Sequence, residues 1–184
     1  FQARIHALEP DCSLANMANY QFGWAHGGGG KRVRPLLVLA LAQAFGGEIR
    51  TAMPAAMAVE TLHNATLVHD DIEDNGPLRH GVPALWKEYS TPLALNFGDY
   101  LYALSGIFLL ETNWGLDNQA RAYQFYQEAF LGVTRGQHLD LHGNPDSNRY
   151  LTMIRLKTGA LFRLSFQLGF LASGRQFSNE LKEI

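Results

Sequence analysis

The stretch His69-Asp70-Asp71-Ile72-Glu73-Asp74, followed by Asn75-Gly76-Pro77-Leu78-Arg79-His80-Gly81, carries the strongest chemical signal in the chain. On a helix Asp70 and Asp74 are four residues apart, so their carboxylates share a face one turn apart. Like charges held that close repel, and an apolar run has little reason to end on them unless a cation sits between. Magnesium suits such a pair, because it takes one or two protein carboxylates and completes its octahedron with water and phosphate oxygens. The pattern points to a site that handles a diphosphate.

Three further groups could meet phosphate. His63 lies seven residues before Asp70, about two turns, on nearly the same face, and is either a satisfied core residue or a second anion ligand. Gly27-Gly28-Gly29-Gly30-Lys31-Arg32-Val33-Arg34-Pro35 is either a linker before a basic helix start or a cradle where backbone N–H groups and cations close on an anion. It is not the nucleotide-binding P-loop, since Ala25 and Arg32 stand where that pattern needs Gly and Ser or Thr. Arg155-Leu156-Lys157-Thr158-Gly159 offers a point charge and a hydroxyl beside a glycine, or simply a surface lysine at a bend. Upstream, in Gly136-Gln137-His138-Leu139-Asp140, Gln137 and Asp140 lie three apart on one helix face, where they can meet ligand, metal or each other.

Helices must position these groups. Gly, Pro and Asn separate apolar runs with no sustained alternation, so an all-α fold is expected. After an amino-terminal helical piece, helices are predicted over Val33–Phe45, Thr51–Asp74, Pro92–Glu111, Asn118–Leu141 and Ser147–Ala172, the last bent near Gly159. The acids then fall at the carboxyl end of the second of these, where the helix dipole disfavours negative charge, which strengthens the case for a metal.

With 184 residues, 47% hydrophobic, the chain reads as one domain spanning 1–184. A net charge of -2 offers no long-range attraction to nucleic acid or an anionic membrane. The single cysteine, Cys12, excludes an internal disulfide and suits a reducing cytoplasm. The longest uninterrupted apolar run, Pro35–Ala42, falls short of the roughly 20 residues of a membrane span. The chain opens on Phe1 rather than Met and closes on Ser178-Asn179-Glu180-Leu181-Lys182-Glu183-Ile184, a capped helix start without an end, so a longer protein is expected.

In this order, Gly30-Lys31-Arg32-Val33-Arg34-Pro35, Asp70-Asp71-Ile72-Glu73-Asp74 with Arg79, Gly136-Gln137 with Asp140, and Lys157-Thr158-Gly159 resemble the trans-isoprenyl diphosphate synthases, the polyprenyl synthetase family. The resemblance runs from about Tyr20 to the end. It implies an all-α isoprenoid-synthase bundle, a Mg2+ requirement, a homodimer, and head-to-tail condensation of isopentenyl diphosphate with an allylic diphosphate. By residue, it implies that Lys31, Arg34 and His63 hold isopentenyl diphosphate, and that Asp70 and Asp74, with Asp71 assisting, bind the magnesium that bridges to the allylic diphosphate. Arg79, Lys157 and Thr158 match further diphosphate contacts, with Gln137 beside them.

Two departures stand out. His80 replaces the family's usual Arg, exchanging a fixed charge for a group mostly neutral at pH 7, which predicts weaker or pH-sensitive binding of isopentenyl diphosphate. The family's second aspartate-rich motif does not occur in these 184 residues, so the chain by itself is expected to be catalytically incomplete, its carboxyl-terminal part missing. Small Ala65 and Thr66, about one turn below Asp70, leave the hydrocarbon passage open and predict a product of twenty carbons or more, with Leu62 or a neighbouring helix as the next barrier. Two other readings stay open: a terpene cyclase of the same architecture, and a non-catalytic partner subunit of an active synthase.

Overall fold

Helix-stopping residues do their work in the computed structural model, which describes residues 1–9, 12–27, 30–143 and 146–175. The described helices are α1 (Gln2–Leu8), α2 (Cys12–Gln21), α3 (Val33–Ala44), α4 (Ile49–Glu73), α5 (Leu85–Glu88), α6 (Thr91–Leu110), α7 (Leu116–Leu141), α8 (Ser147–Ile154) and α9 (Ala160–Ala172). The all-α expectation holds. A two-residue hairpin, β1 (Leu78–Arg79) paired antiparallel with β2 (Val82–Pro83), was not foreseen, since two-residue strands leave no alternation to read.

Several predicted boundaries need correction, that of α7 among them, which begins at Leu116 rather than Asn118. α4 begins two residues earlier than Thr51, because the Glu48 carbonyl already accepts from the Thr51 and Ala52 N–H groups and the Thr51 hydroxyl. Pro54 therefore lies inside the helix, where it costs one backbone hydrogen bond near the first turn. The single helix predicted over Ser147–Ala172 is α8 and α9 joined by a π-helical turn at Arg155–Gly159, so the distortion ends at Gly159 and starts four residues before it. The helix start read at Ser178 lies outside the described residues.

The chain divides into two compact units. The first comprises Phe1–Arg32 and Thr61–Ala103. Its core contains Ile5, Met17, Phe22, Leu62, Ala65, Val68, Leu85, Phe97 and Leu101, and each large apolar side chain fully buried contributes about 1.5–3 kcal/mol. Phe1, Phe22 and Trp24 form an aromatic cluster with centroids 4.8–5.4 Å apart. The Tyr20 hydroxyl donates to the Pro83 carbonyl at 2.8 Å, tying α2 to the hairpin.

The second unit comprises Val33–Glu60 and the described part of Leu104–Ile184. Here α3 packs on α9 so closely that a Cβ on Gly169 would stand 2.8 Å from the Leu41 Cβ and 2.9 Å from the Val38 carbonyl. α7 packs against α8, the π-helical turn and α9. The Gln119 amide donates to the Leu110 and Thr112 carbonyls, which fixes the short link into α7. α6, of which Thr91–Ala103 belongs to the first unit, is by length and composition apolar enough to cross a membrane although polar residues interrupt its apolar run; half of that stretch is buried, as in a core helix.

Candidate diphosphate and metal site

In the first unit, α4 ends in a Schellman motif. Asn75 adopts the left-handed conformation (φ 52°), its N–H donates to the Ile72 carbonyl, and the Gly76 N–H reaches back to the Asp71 carbonyl at 2.9 Å. The cap leaves Asp70, Asp71 and Asp74 in the last turn, with Asp74 exposed and the Asp70 side chain 20% exposed. One residue on from Asp70, Asp71 is turned by about 100° and is buried.

Arg79 meets it there. Its Nε donates to Asp71 Oδ2 at 3.1 Å and its Nη2 to Asp71 Oδ1 at 2.5 Å, while Nη2 stands 3.7 Å from Asp70 Oδ2. Asp71, grouped above with Asp70 and Asp74 toward the metal, thus has both oxygens engaged by a guanidinium. Burial works against the Arg79 charge, but the Asp71 bonds and the carboxylates of Asp70, Asp71 and Asp74 outweigh it and raise its pKa. The hairpin delivers Arg79: His80 (φ 53°) and Gly81 (φ 85°) form a two-residue turn with both residues left-handed, as a twisted hairpin requires. The Trp86 indole N–H donates to the Gly76 carbonyl at 2.8 Å and holds the start of this segment.

The His69 ring lies against the Gly98 backbone of α6, where a Cβ would come within 2.2 Å of Nε2. It also faces Tyr102 edge-on at 5.3 Å and stands 3.5 Å from Asp99. This seat fixes the residue immediately before Asp70. His80 Nε2 would be 3.9 Å from a Cβ on Gly30, which brings the imidazole beside the residue preceding exposed Lys31. His80, Arg79, Tyr20 and His26 line one cleft of about 20 Å³, the scale of a single water. His63 is half-buried, Ala65 and Leu62 are fully buried, and the Thr66 hydroxyl donates to the His63 carbonyl at 2.7 Å. Gly28 and Gly29 lie outside the described residues.

In the second unit, the Arg34 guanidinium lies 4.8 Å from the Phe162 ring centroid. Burial lowers its pKa, and the carboxylate of buried Glu60 opposes that. Lys157 Nζ donates to Asp140 Oδ2 at 2.6 Å. The approach of α7 to the π-helical turn depends on Gly136, where a Cβ would stand 2.4 Å from the Lys157 nitrogen. Gln137 is half-buried and Thr158 exposed. Two contributors escaped the sequence reading. Glu60 had a signal, a lone acid inside an apolar helix three residues before His63; Gly98 had none, because its role depends on a ring 29 residues away.

Among the described residues no three His, Cys, Asp or Glu side chains converge on a metal-sized point. Two carboxylates one turn apart still fit magnesium, which needs only one or two protein oxygens when phosphate and water supply the rest.

The polyprenyl synthetase family profile matches residues 13–184. The chain is 39% identical over 147 residues to a geranylgeranyl diphosphate synthase from Saccharolobus solfataricus, covering 77% of this chain and 44% of that one. It is 38% identical over 156 residues to a geranylfarnesyl diphosphate synthase from Aeropyrum pernix, covering 79% and 49% respectively. The crystal structure of a polyprenyl synthetase from Streptomyces coelicolor A3(2) superposes with a TM-score of 0.85 at 33% identity, over 95% of this chain and 54% of that one. The chain spans about half the length of the curated relatives it matches.

Proposed function

The chain belongs to the polyprenyl synthetase family, and from that premise we propose that the protein is a prenyltransferase condensing isopentenyl diphosphate with an allylic diphosphate to extend an all-trans polyprenyl diphosphate. The observation that carries this reading is the capped end of α4, where Asp70 and Asp74 stand one turn apart beside the Arg79 guanidinium. The implied Mg2+, held by Asp70 and Asp74, would supply charge neutralisation for the diphosphate that leaves.

Asp71 holds Arg79 toward the allylic diphosphate, and Lys157, Thr158 and Gln137 donate to it as well. Lys31, Arg34, His63 and His80 bind isopentenyl diphosphate. The allylic C–O bond breaks with its electron pair leaving on diphosphate, and the isopentenyl double bond attacks the resulting cation. A proton is then lost, with the released diphosphate as acceptor. The residues act by holding and by charge stabilisation, and no side-chain nucleophile is needed. Lys157 is counted with the catalytic residues because it meets the leaving group.

Small side chains at Ala65 and Thr66 support a product of twenty carbons or more, and the geranylgeranyl and geranylfarnesyl names of the relatives agree with that length. A homodimer and a cytoplasmic location belong to the same reading. The test is to incubate the whole protein with Mg2+, isopentenyl diphosphate and each allylic diphosphate and to separate the products by chromatography. Diphosphates of twenty or more carbons are expected. A fifteen-carbon product alone overturns the length, hydrocarbon from farnesyl diphosphate alone points to a cyclase, and activity only with a second protein points to a regulatory subunit.

A further inference from the structure

His138 and His142 stand one turn apart at the carboxyl end of α7, with ring centroids 4.3 Å apart and planes inclined by 45°. Both residues are exposed. His142 Nδ1 lies 2.8 Å from the His138 carbonyl oxygen. A carbonyl oxygen only accepts, so Nδ1 carries the proton and Nε2 keeps its lone pair. That arrangement is the one a metal-binding histidine uses, its second nitrogen donating to a backbone carbonyl so that ring orientation and tautomer are fixed in advance. Two histidines at i and i+4 on one helix face are a recurrent zinc-chelating pair.

The position adds a second reason. α7 is 26 residues long and His142 is its C-cap, so the two rings stand at the negative end of a long helix dipole, where a cation is stabilised. We propose that His138 and His142 form a bidentate site for a divalent transition cation such as Zn2+ or Ni2+, separate from the Asp70 and Asp74 pair. Imidazole nitrogens favour these ions, whereas two carboxylates favour magnesium, so ligand type sorts the cations. Asp140, between the two histidines in sequence, is engaged by Lys157. No third His, Cys, Asp or Glu joins among the described residues, so water completes the coordination and the affinity is moderate.

The experiment is calorimetric titration of the whole protein, free of any histidine tag, with NiCl2 and with ZnCl2 in metal-free buffer. About one equivalent is expected to bind, and His138→Asn and His142→Asn should each weaken it on the order of a hundredfold by removing the chelate. His6→Asn should leave it unchanged. Undiminished binding in either α7 variant, or an equal loss in His6→Asn, overturns the proposal. Nitrogen-15 imidazole spectra with Zn2+ give a readout independent of variant folding: the His142 Nε2 resonance must shift while Nδ1 stays protonated, and an unmoved Nε2 overturns the site equally.

Discussion

Arg79 holds Asp71 through two hydrogen bonds while standing 3.7 Å from Asp70, so neighbouring acids at one helix end have different duties. The Asp71 side chain is 6% exposed, and burial raises its pKa against the opposing pull of the Arg79 guanidinium. The Asp70 side chain is 20% exposed and Asp74 is exposed.

Asp71→Asn should therefore cost stability first. Leaving Arg79 partly buried without its bidentate partner is expected to destabilise the fold by about 2–3 kcal/mol in urea unfolding. Asp74→Asn, at an exposed position where the helix dipole disfavours negative charge, should change stability by no more than about 0.5 kcal/mol and instead weaken Mg2+-dependent turnover. Equal destabilisation by both would remove the division of roles.

Gly136 and Gly132 both face the carboxyl-terminal helices from α7, but with different room. An alanine at 136 meets the Lys157 backbone, which cannot swing aside, and should lower stability by about 1–3 kcal/mol. At 132 the neighbour is the Ala160 Cβ at 3.2 Å, and the better helix propensity of alanine, worth about 1 kcal/mol, offsets the crowding. Thermal unfolding of the two variants should separate them clearly.

Gly98→Ala is expected to destabilise the end of α4 through the His69 ring. Because the obstacle is a side chain, the cost should fall by about 1 kcal/mol or more in a His69→Ala background, a coupling that a double-mutant cycle measures directly. Additive costs would mean that the ring does not occupy the space above Gly98.

His80→Arg should lower KM for isopentenyl diphosphate severalfold and flatten its change between pH 6 and 8, since a fixed charge replaces an imidazole. His80→Gly should raise KM while leaving stability within about 1 kcal/mol, as glycine accepts the left-handed backbone at this turn. An unaltered KM in His80→Arg would separate this side chain from the substrate.

The helices were legible because their stops are local. Asn75-Gly76 and Gly46-Gly47 each close a helix by the same backbone bonds, with Gly47 reaching the Ala42 carbonyl as Gly76 reaches Asp71. Asp70 and Asp74 were legible from helix periodicity alone. The partners of Asp71 and Asp140 were not, because each waits on an element without a period: a two-residue hairpin for Arg79 and a π-helical turn for Lys157. His69 and Gly98 meet only when two long helices pack, and neither residue type announces the other.

The widened turn at Arg155–Gly159 has one more consequence. An extra residue accommodated within a helix advances everything after it by about 100° without altering the axis. Deleting one residue there would rotate Leu161, Leu164 and Leu168, all now buried, out of phase with α8, so the segment is phased by a single added residue that no composition or hydropathy profile registers.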